Sequence, residues 1–207
     1  NFVAKNMPGG LSVIAVSNKG DLFNAPETYM DKIAISNEIK SECVDLDYSI
    51  EENISNISDY KKINRSEITV CILERSRHKF IIEKLKKMQV NIKLISDGDV
   101  SGALLVAKKD SNVDMFLGIG GGPEGVLAAS ALDSFGCKFQ GRFIFSNDKD
   151  KLRAKNFGIT DLNKKYEINE LVKGESIFCA SGITDGDLVK GVKFKNNVYL
   201  TLIKNMK

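Results

Sequence analysis

Histidine is almost missing from this 207-residue chain. The single His78 makes His-based zinc sites improbable and leaves a Ser-His-Asp triad one residue to build on; packing or capping at a helix start is its simpler reading. Paired cysteine motifs are missing too. Cys43, Cys71, Cys137 and Cys179 are widely separated, and Cys71 and Cys179 lie inside apolar runs as small hydrophobes, so a reduced, cytoplasmic protein is expected. No apolar run approaches the roughly 20 residues of a membrane span, and no basic-then-apolar leader opens the chain. No basic stripe is present either. The 30 Lys and Arg and the 27 Asp and Glu are mixed along the sequence for a net charge of +3, which gives no reason to expect nucleic acid as a partner. The glycine-rich stretch has no following GK[ST], which excludes a P-loop. Internal repeats and low-complexity tracts are likewise absent.

What is present is an alternation of apolar runs and helical patterns. Leu11 to Ser17 reads as a strand, and Asn18-Lys19-Gly20 as a turn returning through Leu22-Phe23 in a hairpin. Ser36 to Asp47 is polar and mixed, and reads as irregular or edge structure. Ser49 with Glu52 forms a capping-box signature for a helix to about Ile63. Strands are then expected at Ile68 to Leu73, Ile92 to Ile95, Val113 to Ile119 and Arg142 to Ser146. Helices are expected near His78 to Met88, at Val100 to Ala107 and at Glu124 to Ser134. Weak helical periodicity surrounds Leu162 and Leu171, and Ile177 to Ala180 and Val198 to Ile203 are the last strand candidates. This spacing implies right-handed crossovers and a largely parallel sheet.

Four of these strands end in polar loops, which a parallel sheet would gather at one edge. They are Glu74-Arg75-Ser76-Arg77, Asp97-Gly98-Asp99, the glycine turn Gly118 to Gly125 with Glu124, and Ser181 to Asp187. Arg75 and Arg77 can present guanidinium forks to phosphate oxygens, or form a surface charge cluster. Asp97 and Asp99 suit either a turn around Gly98 or acceptors for sugar hydroxyls, and the second is favoured here. The glycine turn is an anion cradle at a helix start, where Pro123 suits the first turn. Glu124 there is a cap or a ligand for a hard cation such as Mg²⁺ or Mn²⁺. Gly120 to Gly125 also fits GxGxxG, with Asp148 placed as a ribose-binding acid would be. That dinucleotide match is weak, because the turn is the third of its series and not the first.

Taken in order, NAPETYMDKI (Asn24 to Ile33), RSRH (Arg75 to His78), SDGDVSGALL (Ser96 to Leu105), GIGGGPEGVLAAS (Gly118 to Ser130), QGR (Gln140 to Arg142) and SGITDGDLVKGV (Ser181 to Val192) resemble the class II, GlpX-like fructose-1,6-bisphosphatases. The family includes fructose-1,6/sedoheptulose-1,7-bisphosphatases. The resemblance implies an α/β, layered αβα sugar-phosphatase fold with a largely parallel or mixed sheet, lacking part of its N-terminal half. It implies Mn²⁺- or Mg²⁺-dependent hydrolysis of fructose 1,6-bisphosphate to fructose 6-phosphate. By the same resemblance Tyr29, Arg75, Ser76, Arg77, Asp97, Gly98, Asp99 and Gly121 bind substrate and Glu124 binds metal. The remaining acidic ligands and a DPxEGT-type catalytic motif are expected upstream of Asn1. Residues 1–66 would then be a remnant of a metal-binding domain and 67–207 a substrate-binding domain. The chain alone is expected to be inactive, self-associating through strands left exposed between Leu11 and Phe23, and part of a homo-oligomer when intact. A noncatalytic sugar-phosphate-binding subunit is the alternative, and a nucleotide-binding oxidoreductase a weaker one.

Overall fold

The computed structural model describes residues 3–5, 7–196, 198–200 and 203–206, the last two segments by backbone alone. In chain order the elements are β1 (Leu11–Ser17), β2 (Tyr29–Ile35), α1 (Ile50–Lys61), β3 (Thr69–Leu73), α2 (Lys79–Lys87), β4 (Asn91–Ile95), α3 (Asp99–Leu104), β5 (Met115–Gly121) and α4 (Gly122–Asp133). There follow β6 (Lys138–Ile144), α5 (Asp148–Asn156), β7 (Lys165–Glu167), α6 (Ile168–Leu171), β8 (Ser176–Gly182), β9 (Lys193–Lys195), β10 (Val198–Leu200) and β11 (Ile203–Met206).

A six-stranded sheet of order β4-β3-β5-β2-β6-β7 is the frame. Its two faces are separated by the period of two along each strand. Ile33 and Ile35 of β2, Val70 of β3 and Leu117 of β5 face Ile54 and Ile57 of α1 and Leu85 of α2. Met30, Ala34, Cys71, Leu73 and Phe116 face α3 and α4 on the other side. There α4 is apolar nearly all round, with Ala128, Ala129, Ala131 and Leu132 buried, because β1 and β8 pack over its far side. The layers are therefore helices, sheet, helices and a second, three-stranded sheet of order β1-β8-β11. The capping box that starts α1 is formed in full: Ser49 Oγ accepts from the Glu52 amide at 3.1 Å and Glu52 Oε2 from the Ser49 amide at 2.8 Å.

The sheet is mixed, and parallel only across β4-β3-β5. The alternating strand–helix pattern holds for that stretch. The pairs β5-β2, β2-β6 and β6-β7 are antiparallel, because β2 precedes the crossover series and enters between β5 and β6. Alternation of side chains does not encode strand direction. The expected hairpin is also absent: β1 pairs with the distant β8, Leu11 opposite Gly182 and Ser17 opposite Ser176, and Leu22 makes only an isolated bridge to Val172. A local turn sequence was outcompeted by a distant strand of matching apolar face. Leu162 lies in a turn, whereas Leu171 closes the short helix α6, and the longer helix of that region is α5. Of the strand expected at Val198 to Ile203, positions 201 and 202 lie outside the described residues. None of the four cysteines is in a disulfide; Cys71 is buried, and burial pushes its thiol up to about 12, whereas Cys179 is half-buried.

The outer face of β1 and β8 carries Ile14 and Val16, 57% and 54% exposed, opposite Cys179 and Ile177. Adjacent exposed β-branched residues on paired strands are an association surface. The 207-residue chain is expected to sediment as a dimer or larger, and Ile14→Lys with Val16→Lys to shift it to monomer. A monomeric unaltered chain at tens of micromolar, on the order at which such association is felt, contradicts this.

Candidate active site

Strand order builds a crevice. The chain passes from β3 outward to β4 over one face, through α2, and returns over the other, through α3, to β5 on the opposite flank of β3. The loops after β3 and β5 thus diverge to opposite faces, which is where an open α/β sheet forms a ligand crevice. β3 and β5 pair only at Val70 with Met115 and Cys71 with Phe116, so the end of β5 has a free edge. His78 takes that edge. Its Nε2 accepts from the Ile119 amide at 2.8 Å, so the proton sits on Nδ1, which donates to Leu73 O at 2.7 Å. The ring is fully buried and serves as a strap between two strand ends. It starts α2 without a side-chain capping bond, so of the two expected roles it fills packing.

The sequence-selected residues converge here. A cavity of about 410 Å³ lies nearby, but the one that joins the candidate residues measures about 360 Å³ and is lined by Arg75, Arg77, Asp97, Gly98, Asp99, Gly121 and Glu124. Tyr29 lines an adjoining cavity that shares Gly121 and Glu124, because antiparallel pairing sets the start of β2 opposite Gly121. Ser76 is exposed on the short turn between the two arginines and lines neither. The loop after β8 belongs to the other sheet, which corrects the expectation that four loops share one sheet edge. Its Asp185 to Lys190 instead border the 410 Å³ cavity together with Asp97 and Ser101.

The two arginines differ. Arg75 is committed to the neighbouring loop, donating to Asp97 Oδ1 at 2.9 Å and to Ser96 O at 2.5 Å. Arg77 donates its Nε to Ile119 O at 2.7 Å and lies 5.1 Å from the centre of the Tyr29 ring. Its terminal nitrogens have no protein partner among the described residues, which leaves a braced fork facing the cavity. Gly98 adopts φ of +91°, the left-handed conformation that lets Asp99 open α3. A Cβ at Gly120 would fall 2.7 Å from Asp99 Oδ1, so glycine there is required by close approach.

Sequence reasoning passed over Lys32. It is fully buried in β2 and donates to Asp99 Oδ2 and, at 2.7 Å, to Gly121 O. Burial pushes its ammonium down, and the Asp99 carboxylate opposes that shift. On the other face of β2, burial pushes the Asp31 carboxyl up, against a hydrogen bond from the Lys32 backbone and the charge of Arg142. The available signal was an Asp31-Lys32 pair of charges beside the apolar Ile33 to Ile35, and in the structure the partners of Lys32 on both sides, Gly118 and Gly141, are glycine.

Among the described residues no three His, Cys, Asp or Glu side chains come together as a metal-binding group. Glu124 is exposed on the first turn of α4, and Asp99 is occupied by Lys32. A hard divalent cation takes about six oxygens, so these carboxylates do not fit a closed Mn²⁺ or Mg²⁺ shell. Asp148, the acid a dinucleotide site would use, is exposed and pairs with Lys151. No helix among the described residues is long and apolar enough to cross a membrane.

The profile of the family described as bacterial fructose-1,6-bisphosphatase, glpX-encoded, matches residues 1–204. A protein of Synechococcus sp. (strain JA-3-3Ab) named D-fructose 1,6-bisphosphatase class 2/sedoheptulose 1,7-bisphosphatase is 38% identical over 207 residues, covering 94% of this chain and 59% of the relative. A protein of the same name from Prochlorococcus marinus (strain MIT 9312) is 37% identical over 215 residues, covering 97% of this chain and 64% of the relative. The chain thus spans about three fifths of the length of these curated relatives.

Proposed function

This chain belongs to the glpX-encoded bacterial fructose-1,6-bisphosphatase family, and on that premise we propose that it forms the substrate-holding part of an enzyme that hydrolyses fructose 1,6-bisphosphate to fructose 6-phosphate. The double name of the relatives extends the proposal to sedoheptulose 1,7-bisphosphate. One observation carries it: Arg75, Arg77, the Asp97 to Asp99 loop, Gly121 and Glu124 border a single cavity of about 360 Å³, within the size range of small-ligand sites. Arg77, with Tyr29 beneath its guanidinium, grips the phosphate that is retained. Arg75 holds Asp97 in place for the sugar, and Asp99 accepts a sugar hydroxyl. The Gly121 backbone approaches the substrate closely. Glu124 is this chain's contribution to a Mn²⁺ or Mg²⁺ centre, which in such enzymes supplies an activated water and neutralises phosphoryl charge. The described residues position substrate without completing that centre.

The alternative, binding without turnover, rests on the same shortage of cation ligands. Both readings require binding. Fructose 6-phosphate titrated into the 207-residue chain is expected to bind, with fructose at least tenfold weaker, since charge-assisted contacts to phosphate are worth about 1.5–3 kcal/mol each. The same chain with excess Mn²⁺ is expected to release no phosphate from fructose 1,6-bisphosphate. Equal affinity for fructose and fructose 6-phosphate would remove the phosphate grip, and steady release would mean that the metal site has been misplaced.

A further inference from the structure

Among the described residues Lys32 is the only lysine or arginine fully removed from solvent, with a side chain 1% exposed. Burying an ammonium is costly unless it is paired and its hydrogen bonds are met, so its presence in the central strand calls for a compensating role. The surroundings are cleared for it. Its cross-strand neighbours are Gly118 and Gly141, and Gly125 of α4 stands over it, where a Cβ would come 3.1 Å from Lys32 Cε. Gly120, one pleat further along β5, leaves room for the Asp99 carboxylate. Glycine at Gly125 thus leaves room for the Lys32 stem and at Gly120 for the carboxylate it meets, while the space at Gly141 is taken by Met30.

At the end of the side chain Nζ donates to Asp99 Oδ2 and to Gly121 O. It ties the loop after β4 to the turn after β5. The other oxygen, Asp99 Oδ1, is buried and has no hydrogen-bond partner, although the Asp99 side chain borders the 360 Å³ cavity and is 12% exposed. An orphaned carboxylate oxygen in a cavity wall is a place for a donor from a ligand. The ammonium engages Oδ2, and Oδ1 is left to accept.

Resting on the reading of this cavity as a sugar-phosphate site, we infer that Lys32 is a positioning residue. It orients the Asp99 carboxylate so that Oδ1 accepts a sugar hydroxyl, and does not itself touch the substrate. Its action is confined to the sugar. The phosphate is held by Arg77, braced independently on Ile119 O and Tyr29.

The test is calorimetric titration of the 207-residue chain with fructose 6-phosphate and with inorganic phosphate, in unaltered, Lys32→Met, Asp99→Asn and doubly substituted forms, each checked by thermal unfolding. Lys32→Met is expected to weaken fructose 6-phosphate by on the order of tenfold or more, the scale of a hydrogen bond to a charged group. Inorganic phosphate should change by less than about twofold. Lys32→Met added to Asp99→Asn should also cost less than about twofold, because the group through which Lys32 acts is already altered. If Lys32→Met does not fold, the double variant, which buries no lone charge, is compared with Asp99→Asn on the same criterion. Unchanged sugar-phosphate affinity in Lys32→Met, an equal loss for both ligands, or a further large loss in the double variant overturns the inference. Failure of the unaltered chain to bind fructose 6-phosphate overturns the site reading on which it rests.

Discussion

Arg77→Ala is expected to weaken fructose 6-phosphate binding by roughly ten- to a hundredfold, with little change in thermal stability. The reason is that its two terminal nitrogens are available while the rest of the side chain is fixed, Nε by Ile119 O and the guanidinium face by Tyr29. A pre-oriented fork loses less entropy on meeting a phosphate than a free one. The side chain is exposed in the open cavity, so the loss should fall below that for a fully desolvated pair. Arg77→Lys keeps the charge and loses the brace, and should recover only part of the affinity. Arg75→Ala should act differently, since that guanidinium already serves Asp97 and Ser96: its effect should fall on sugar recognition more than on inorganic phosphate. Unchanged binding in Arg77→Ala would return this arginine to a surface charge.

The second large effect is structural. His78→Ala is expected to lower unfolding free energy by about 3 kcal/mol or more, read from the urea midpoint at constant m. The substitution empties a fully buried site, leaves the Ile119 amide without a partner where β3 and β5 no longer pair, and leaves Leu73 O with the Arg75 amide alone. An amide buried and unmet costs about 1–3 kcal/mol, and the cavity left by the ring adds to it. Because Ile119 O also receives Arg77, the same variant should weaken phosphate binding in whatever fraction still folds. A loss below about 1 kcal/mol would mean that the strap holds nothing.

What the sequence showed and what it hid divide along physical lines. The capping box at Ser49 and Glu52 and the strand–helix alternation from β3 to α4 are local, and both were legible. So was the convergence of Arg75, Arg77, Asp97, Asp99, Gly121 and Glu124, because strand ends followed by glycine and charge announce loops at one sheet edge. Strand direction was not legible. Nothing in Tyr29 to Ile35 marks its direction, and the antiparallel entry of β2 between β5 and β6 is a tertiary outcome, yet that entry brings Tyr29 to the site. The partner of β1 was hidden for the same reason, the turn at Asn18 to Gly20 suggesting a near neighbour where the sheet used β8. Lys32 was passed over and His78 was assigned no part in the site, since only the fold shows that one is hydrogen-bonded to Asp99 and the other bridges two strand ends.

The most direct test of the account is a crystal structure of this chain with fructose 6-phosphate. The account predicts the phosphate on the terminal nitrogens of Arg77, a sugar hydroxyl on Asp99 Oδ1, and the ring against Gly121, within the 360 Å³ cavity. The sugar phosphate lying instead among Asp185 to Lys190 in the neighbouring 410 Å³ cavity, with Arg77 and Asp99 untouched, would contradict it.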